Sequence, residues 1–232
     1  MKTIGIIQPN YIPWRGYFDF IKEVDVFVLL DDVQFTRRDW RTRNKVKLLD
    51  GSTRWLTVPV IGSRDQLIKD VKIDNTQEWR QKHLNTLQAS YAKSPFFYEY
   101  FPELESIYLG DNHQLLANLN LDLINMLCGW LSINTPVLRA STFEVHGRKD
   151  ERLIALVQAV DGDRYLSGPA AREYIQPTMW QHAGIEVAYK NYDGYPAYTQ
   201  ISEPYVGKVS ILDLIFAVGR SAPDYIWGSK RL

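Results

Sequence analysis

The chain has 232 residues and sets 27 Lys and Arg against 27 Asp and Glu, a formal net charge of zero at pH 7. That balance excludes the uniform field of a nucleic-acid coat, and no apolar run approaches the roughly 20 residues that span a bilayer. One cysteine forms no internal disulfide and four dispersed histidines make no zinc set, whereas 7 Trp, 14 Tyr and 9 Phe stand out. The opening MKTIGIIQPN is too short in its apolar run for a signal peptide. The expectation is a cytoplasmic protein with one compact domain over residues 1–232, whose 45% hydrophobic content suffices for a core.

In chain order, residues 3–8 read as a buried strand, because Ile4, Ile6 and Ile7 are β-branched and Pro9 stops the run. A turn-rich stretch leads to a short helix at 17–22, then a second apolar strand at 25–30. Residues 45–49 and 54–60 flank Asp50-Gly51, a hairpin signal. Over 76–93 the period becomes helical, with Trp79, His83, Leu87 and Tyr91 on one stripe. A second helix at 114–131 presents Leu116, Leu119, Leu123, Leu127 and Trp130, and Asp150 reads as the cap of a third at 151–160. A strand at 164–166, a helix at 170–183 broken or bent near Pro177, a strand at 185–189 and an apolar helix at 209–218 complete the chain. The alternation predicts an α/β fold, a mixed and largely parallel sheet flanked by helices, with a β-hairpin insertion.

Ligands bind at the carboxyl ends of strands in such folds, so the segments that follow the strands carry the candidates. After the first strand, Gln8, Asn10 and Arg15 offer directional hydrogen bonds, Tyr11, Trp14 and Tyr17 offer flat faces, and Pro9 helps to set the path. The competing reading is an aromatic plug over the sheet. After the second strand stand Asp31, Asp32 and Gln34. Successive residues of an extended chain point to opposite faces, so at most one aspartate is expected to face the first loop, as a general base or an Mg²⁺ ligand. Six cations within residues 37–47, among them Arg41 and Arg43 and interleaved with Trp40 and Asn44, predict a local positive patch for an anionic small molecule such as a nucleoside diphosphate. His83 lies on an apolar stripe, either as a base or as a core residue bonded to a carbonyl. Cys128 reads as a small buried hydrophobe. Tyr189, Tyr192, Tyr195, Tyr198 and Tyr205, with Asp193 and Glu203 among them, suit a carbohydrate ring or form a packed loop. Ser167 and Gly168 end a strand where backbone amides could meet a phosphate.

As a set, QPNYIPWRGYF at 8–18, LLDDVQ at 29–34, WRTRNKVK at 40–47, WLTVPV at 55–60, DERLI at 150–154, YLSG at 165–168 and SILDLIF at 210–216 resemble the WbqC-like family over nearly the whole chain. The resemblance implies a place in O-antigen or other surface polysaccharide biosynthesis and transfer of a glycyl or other acyl group to an amino sugar. Many members carry His before the Gln-Pro pair, where this chain has Ile7. The resulting expectation is an acyl or aminoacyl transferase for a nucleotide-linked amino sugar, with Asp31, Asp32 or His83 as catalytic residues and no metal ligand set. The expected partner is that small molecule with an unidentified acyl donor, not a nucleic acid or membrane. The alternatives are an ATP-dependent carboxylate-amine ligase, or nucleotidyltransferase-like enzyme, using ATP and Mg²⁺, and a non-catalytic nucleotide-sugar binding protein.

Overall fold

The computed structural model describes residues 1–63, 65–110 and 113–228. Its central sheet joins β1 (Thr3–Ile7), β2 (Val26–Leu29), β7 (Val137–Arg139), β8 (Arg164–Ser167) and β9 (Glu186–Tyr189) in the order β7-β2-β1-β8-β9, with every pairing parallel. The sheet is therefore wholly parallel. The antiparallel pairs stand apart as a hairpin of β3 (Arg43–Lys47) and β4 (Thr53–Thr57) and a small pair of β5 (Val60–Ile61) and β6 (Lys72–Ile73). The chain runs outward from β1 through β2 to β7, then returns to the other side of β1 for β8 and β9. That reversal is the switch point at which doubly wound folds open a crevice at the strand carboxyl ends.

A parallel sheet is covered on both faces, and β2 shows it residue by residue. Val26 and Val28 join Ile4, Ile6, Leu156 and Trp180 on one side, while Phe27 and Leu29 join Phe20, Leu123 and Phe216 on the other. The first side is covered by α5 (Asp150–Ala159) and α6 (Pro177–His182). The second packs α1 (Arg15–Glu23), α2 (Trp79–Tyr91), α3 (Phe97–Leu109), α4 (Leu116–Trp130) and α7 (Ile211–Val218). The stripe at Trp79, His83, Leu87 and Tyr91 is buried, and Cys128 is buried with its thiol pushed up to about 12 by desolvation.

One expectation is corrected, one is resolved between its two alternatives, and one helix is unexpected. Asp150 lies inside α5 rather than capping it. Lys149, at φ 52°, takes the cap position, and the Asp150 carboxylate accepts from the Gln176 amide at 2.7 Å. The helix expected at 170–183 is two pieces, a 3-10 turn at Pro169–Glu173 and α6, because proline at 177 has no amide to continue the ladder and starts a helix instead. The helix α3 has no counterpart in the sequence reading. Its period is carried by Phe97, Phe101, Leu104 and Tyr108, all buried, and is interrupted by Pro102.

Candidate functional site

The loop from 8 to 14 leaves β1 under constraint. Ile12 adopts φ 34°, a conformation that a β-branched side chain disfavours. It is held there from the hairpin: Asn44 Nδ2 donates to the Ile12 carbonyl at 2.8 Å, and the Tyr11 amide donates to the Trp40 carbonyl at 2.9 Å. Asn44 can do this because residues alternate along β3. Asn44 and Val46 face inward with Leu56, while Arg43 and Lys45 face outward with Trp55.

Where this loop enters α1, a cavity of about 640 Å³ opens. Asn10, Trp14 and Arg15 come to it from the loop after β1, Trp40 and Asn44 from the hairpin region after β2, and Tyr192, Asp193 and Tyr195 from the segment after β9. Gly207 and Lys208 complete the wall. The aromatic faces are set against one another, with the Trp14 ring 5.4 Å from Tyr192 and 5.9 Å from Tyr195, the latter edge-on. Gly16 is required beneath them, since a Cβ there would run into the Trp14 indole. Arg15 is 6% exposed and is spent on the wall itself. It donates to the Pro196 carbonyl at 2.8 Å, the Tyr225 carbonyl at 3.1 Å and the Tyr205 hydroxyl at 2.9 Å, with its guanidinium 4.8 Å from the Tyr195 ring centre. Behind Tyr195, its hydroxyl donates to Asp19 at 2.5 Å, and the buried Lys190 ammonium lies 2.9 Å from the same carboxylate oxygen. Burial and this carboxylate push the Tyr195 hydroxyl far above the usual tyrosine range, so it stays protonated. Asp193 is exposed, and its side chain has no hydrogen-bond or ion-pair partner among the described residues.

The two aspartates after β2 lie elsewhere. Asp31 is 1% exposed and accepts from Arg139 Nε at 2.7 Å, from the Ser141 amide at 2.9 Å and from the Ser141 hydroxyl at 2.9 Å, tying the end of β2 to the end of β7. Asp32 pairs with Arg152 on α5 and lines a second cavity of about 580 Å³ together with Lys69, Ser141 and His146. Neither lines the aromatic cavity. His83 is buried against Trp79, Tyr11 and Tyr108. Its Nδ1 shares a hydrogen bond with the Tyr11 hydroxyl at 2.8 Å, and Tyr11 is bonded in turn to Tyr108. Burial lowers the His83 pKa to about 4, so the ring is neutral near pH 7.

Of the remaining candidates, the Gln8 carbonyl accepts from the Tyr17 hydroxyl at 3.0 Å, and the Pro9 carbonyl accepts from Asn120 at 3.0 Å, so both brace the loop. Gln34 is exposed and bridges to Leu67. Ser167 is buried beside Tyr165, and Gly168 faces open space, both at the switch point and outside the aromatic cavity. The cationic patch is smaller than the sequence suggests. Arg41 pairs with Asp39, Arg37 bonds the Gly62 carbonyl, and Lys47 is fully buried, donating to the Gly51 carbonyl at 2.8 Å and bonded to that of Pro204. Among the described residues no three His, Cys, Asp or Glu side chains gather as a metal site, and no helix is long and apolar enough to cross a membrane.

The sequence reading missed Lys208, Gly207 and the buried Lys190–Asp19 pair. The cluster of tyrosines after β9 was a usable signal for that wall, whereas Lys208 had none. Comparison with known proteins agrees along the whole chain. The WbqC-like protein family matches residues 8–225. The uncharacterized protein Rv1507c of Mycobacterium tuberculosis is 42% identical over 228 residues, which cover 97% of this chain and 98% of that protein. No solved structure matches.

Proposed function

The chain belongs to the WbqC-like protein family, and we propose that it transfers an acyl or aminoacyl group to the amine of a nucleotide-linked amino sugar used in surface polysaccharide. The observation that supports this is the meeting of the loops after β1, β2 and β9 in one cavity with aromatic walls and a carboxylate, Asp193, that has no partner among the described residues. A pyranose ring stacks its C–H faces on Trp14 and Tyr192, and Asn10 and Lys208 offer polar contacts at the wall. The family resemblance supplies the amine and the acyl group. A sugar amine is protonated near pH 7, and Asp193 is the group in this cavity that can hold the ammonium and take its proton. In the reaction the sugar nitrogen forms a bond to the acyl carbon while the bond from that carbon to the donor's leaving group breaks. The nitrogen proton passes to Asp193 and on to water or the leaving group. This reading moves the catalytic carboxylate from Asp31 or Asp32 to Asp193. The test is product mass after incubation with a panel of nucleotide amino sugars and activated acyl donors. A mass gain in the sugar is expected, and no gain across the panel counts against the reading.

A second reading is favoured by one feature, the position of the cavity at the amino end of α1 in a doubly wound sheet, where backbone amides attract phosphate. A ligase that adenylates its carboxylate donor would place ATP there and release AMP. AMP formation that requires the acid and the amino sugar together would select this reading over the first.

A further inference from the structure

Beside the cavity, Trp55 on the outward face of the hairpin and Trp40 just before it are both exposed. Trp40 is 51% exposed and Trp55 37%, with ring centres 5.5 Å apart and planes tilted by 45°. Arg43 lies 4.3 Å over the Trp55 ring and Lys45 5.0 Å from it, both on the strand face opposite Asn44. Between residues 37 and 54 the neutral chain places seven Lys and Arg against two Asp. Of these cations Lys47 is buried and Arg37 and Arg41 are bonded locally, leaving Arg43 and Lys45 beside the indoles. The two carboxylates are bonded to local partners, Asp39 to Thr36 and Arg41, and the exposed Asp50 to the Ser52 amide and hydroxyl. Trp40 belongs to both places, since it pairs with Trp55 and also lines the cavity mouth.

We propose that the Trp40–Trp55 face with Arg43 and Lys45 is a platform for the nucleoside diphosphate end of the substrate, continuous with the cavity through Trp40. The chemistry selects that occupant. A sugar alone has no use for two cations, and an inorganic anion has none for two exposed indoles. A nucleobase joined to a diphosphate uses both, by stacking on an indole and by paired hydrogen bonds from the guanidinium to phosphate oxygens. The inference rests on the transferase reading for the sugar in the cavity, but base and phosphates are recognised by other residues. The direct test is calorimetric titration of the full chain at low salt with UDP, dTDP, GDP and CDP, with ADP, with uridine and with pyrophosphate. The same titrations are made on Trp40→Ala, Trp40→Phe and Arg43→Gln, all at exposed or half-exposed positions. At least one of the four diphosphates is expected to bind about tenfold or more tightly than uridine or pyrophosphate. Trp40→Ala and Arg43→Gln should each weaken it about tenfold, and Trp40→Phe should restore most of the loss. The platform is overturned if none of the four binds, if Trp40→Ala and Arg43→Gln bind as the parent does, or if ADP alone binds. A nucleotide amino sugar turned over with unchanged KM by both variants overturns the platform and leaves the transferase standing. Diphosphate binding that both variants weaken, with no product from any donor, supports the platform and removes the transferase.

Discussion

Asn44, on an inward position of the hairpin, donates its side-chain amide to the carbonyl of Ile12 at 2.8 Å and so fixes the left-handed turn that aims Trp14 and Arg15 at the cavity. Its own carbonyl oxygen accepts from the Lys45 amide at 2.7 Å, so both ends of the side chain are used. Removing it leaves a buried carbonyl unpaired, at a cost of about 1–3 kcal/mol. Asn44→Ala should lose that much in denaturant unfolding. The remaining folded protein should also bind substrate more weakly, because φ 34° at Ile12 relaxes once its restraint is gone.

The carboxylates separate by role. Asp193→Asn touches an exposed group with no partner among the described residues, so its unfolding free energy should stay within about 0.5 kcal/mol of the parent. Turnover should drop about 100-fold or more, the usual worth of a general base. Asp31→Ala should do the reverse in stability, costing about 3 kcal/mol by leaving the partly buried Arg139 guanidinium without its carboxylate, with only the Asn118 amide oxygen still bonded to it. Paired denaturation curves and initial rates on the two variants distinguish the cases, and an Asp193→Asn enzyme of full activity removes Asp193 from the mechanism.

Gly16→Ala places a methyl group against the Trp14 indole. The Trp14 indole lies against this glycine, so the ring must shift and part from Tyr192 and Tyr195. The expected outcome is a red-shifted tryptophan emission and a rise in KM for the sugar nucleotide, while the helix itself gains from losing a glycine.

His83 gives the protein an acid limb. Burial brings its pKa from 6.5 down to about 4, so the unfolded chain binds a proton more tightly than the folded one between those values. The His83 contribution to stability is therefore complete above pH 6.5 and is lost as the pH falls toward 4, amounting to about 3 kcal/mol over the full span. Comparing His83→Gln with the parent across that interval should show a flatter curve for the variant. Equal slopes would mean that the ring is not held neutral.

Elements carried by local pattern were legible in the sequence: the β-branched runs of β1 and β2, the Asp50-Gly51 hairpin, the four-residue stripe of α2 and the leucines of α4. Pattern failed at α3, where Pro102 broke a helical period carried by aromatics, and at Asp150, where a carboxylate that looks like a cap is instead an acceptor for Gln176.

Of the site, the sequence by itself determined the composition, with aromatics and amides after β1, cations after β2 and tyrosines after β9, because each is written within a few consecutive residues. Only the tertiary structure decided which of these groups are free to act. Asp31 is held by Arg139 and Ser141, more than a hundred positions along the chain, and Arg15 is occupied by Pro196, Tyr205 and Tyr225. Lys47 is buried, and Asp193 has no partner among the described residues at the wall that Trp14 and Tyr192 form. Whether a charge is spent on the fold or available to a ligand depends on partners brought close by the sheet order and by the return of the chain after β9. Spacing along the sequence contains no record of those distances.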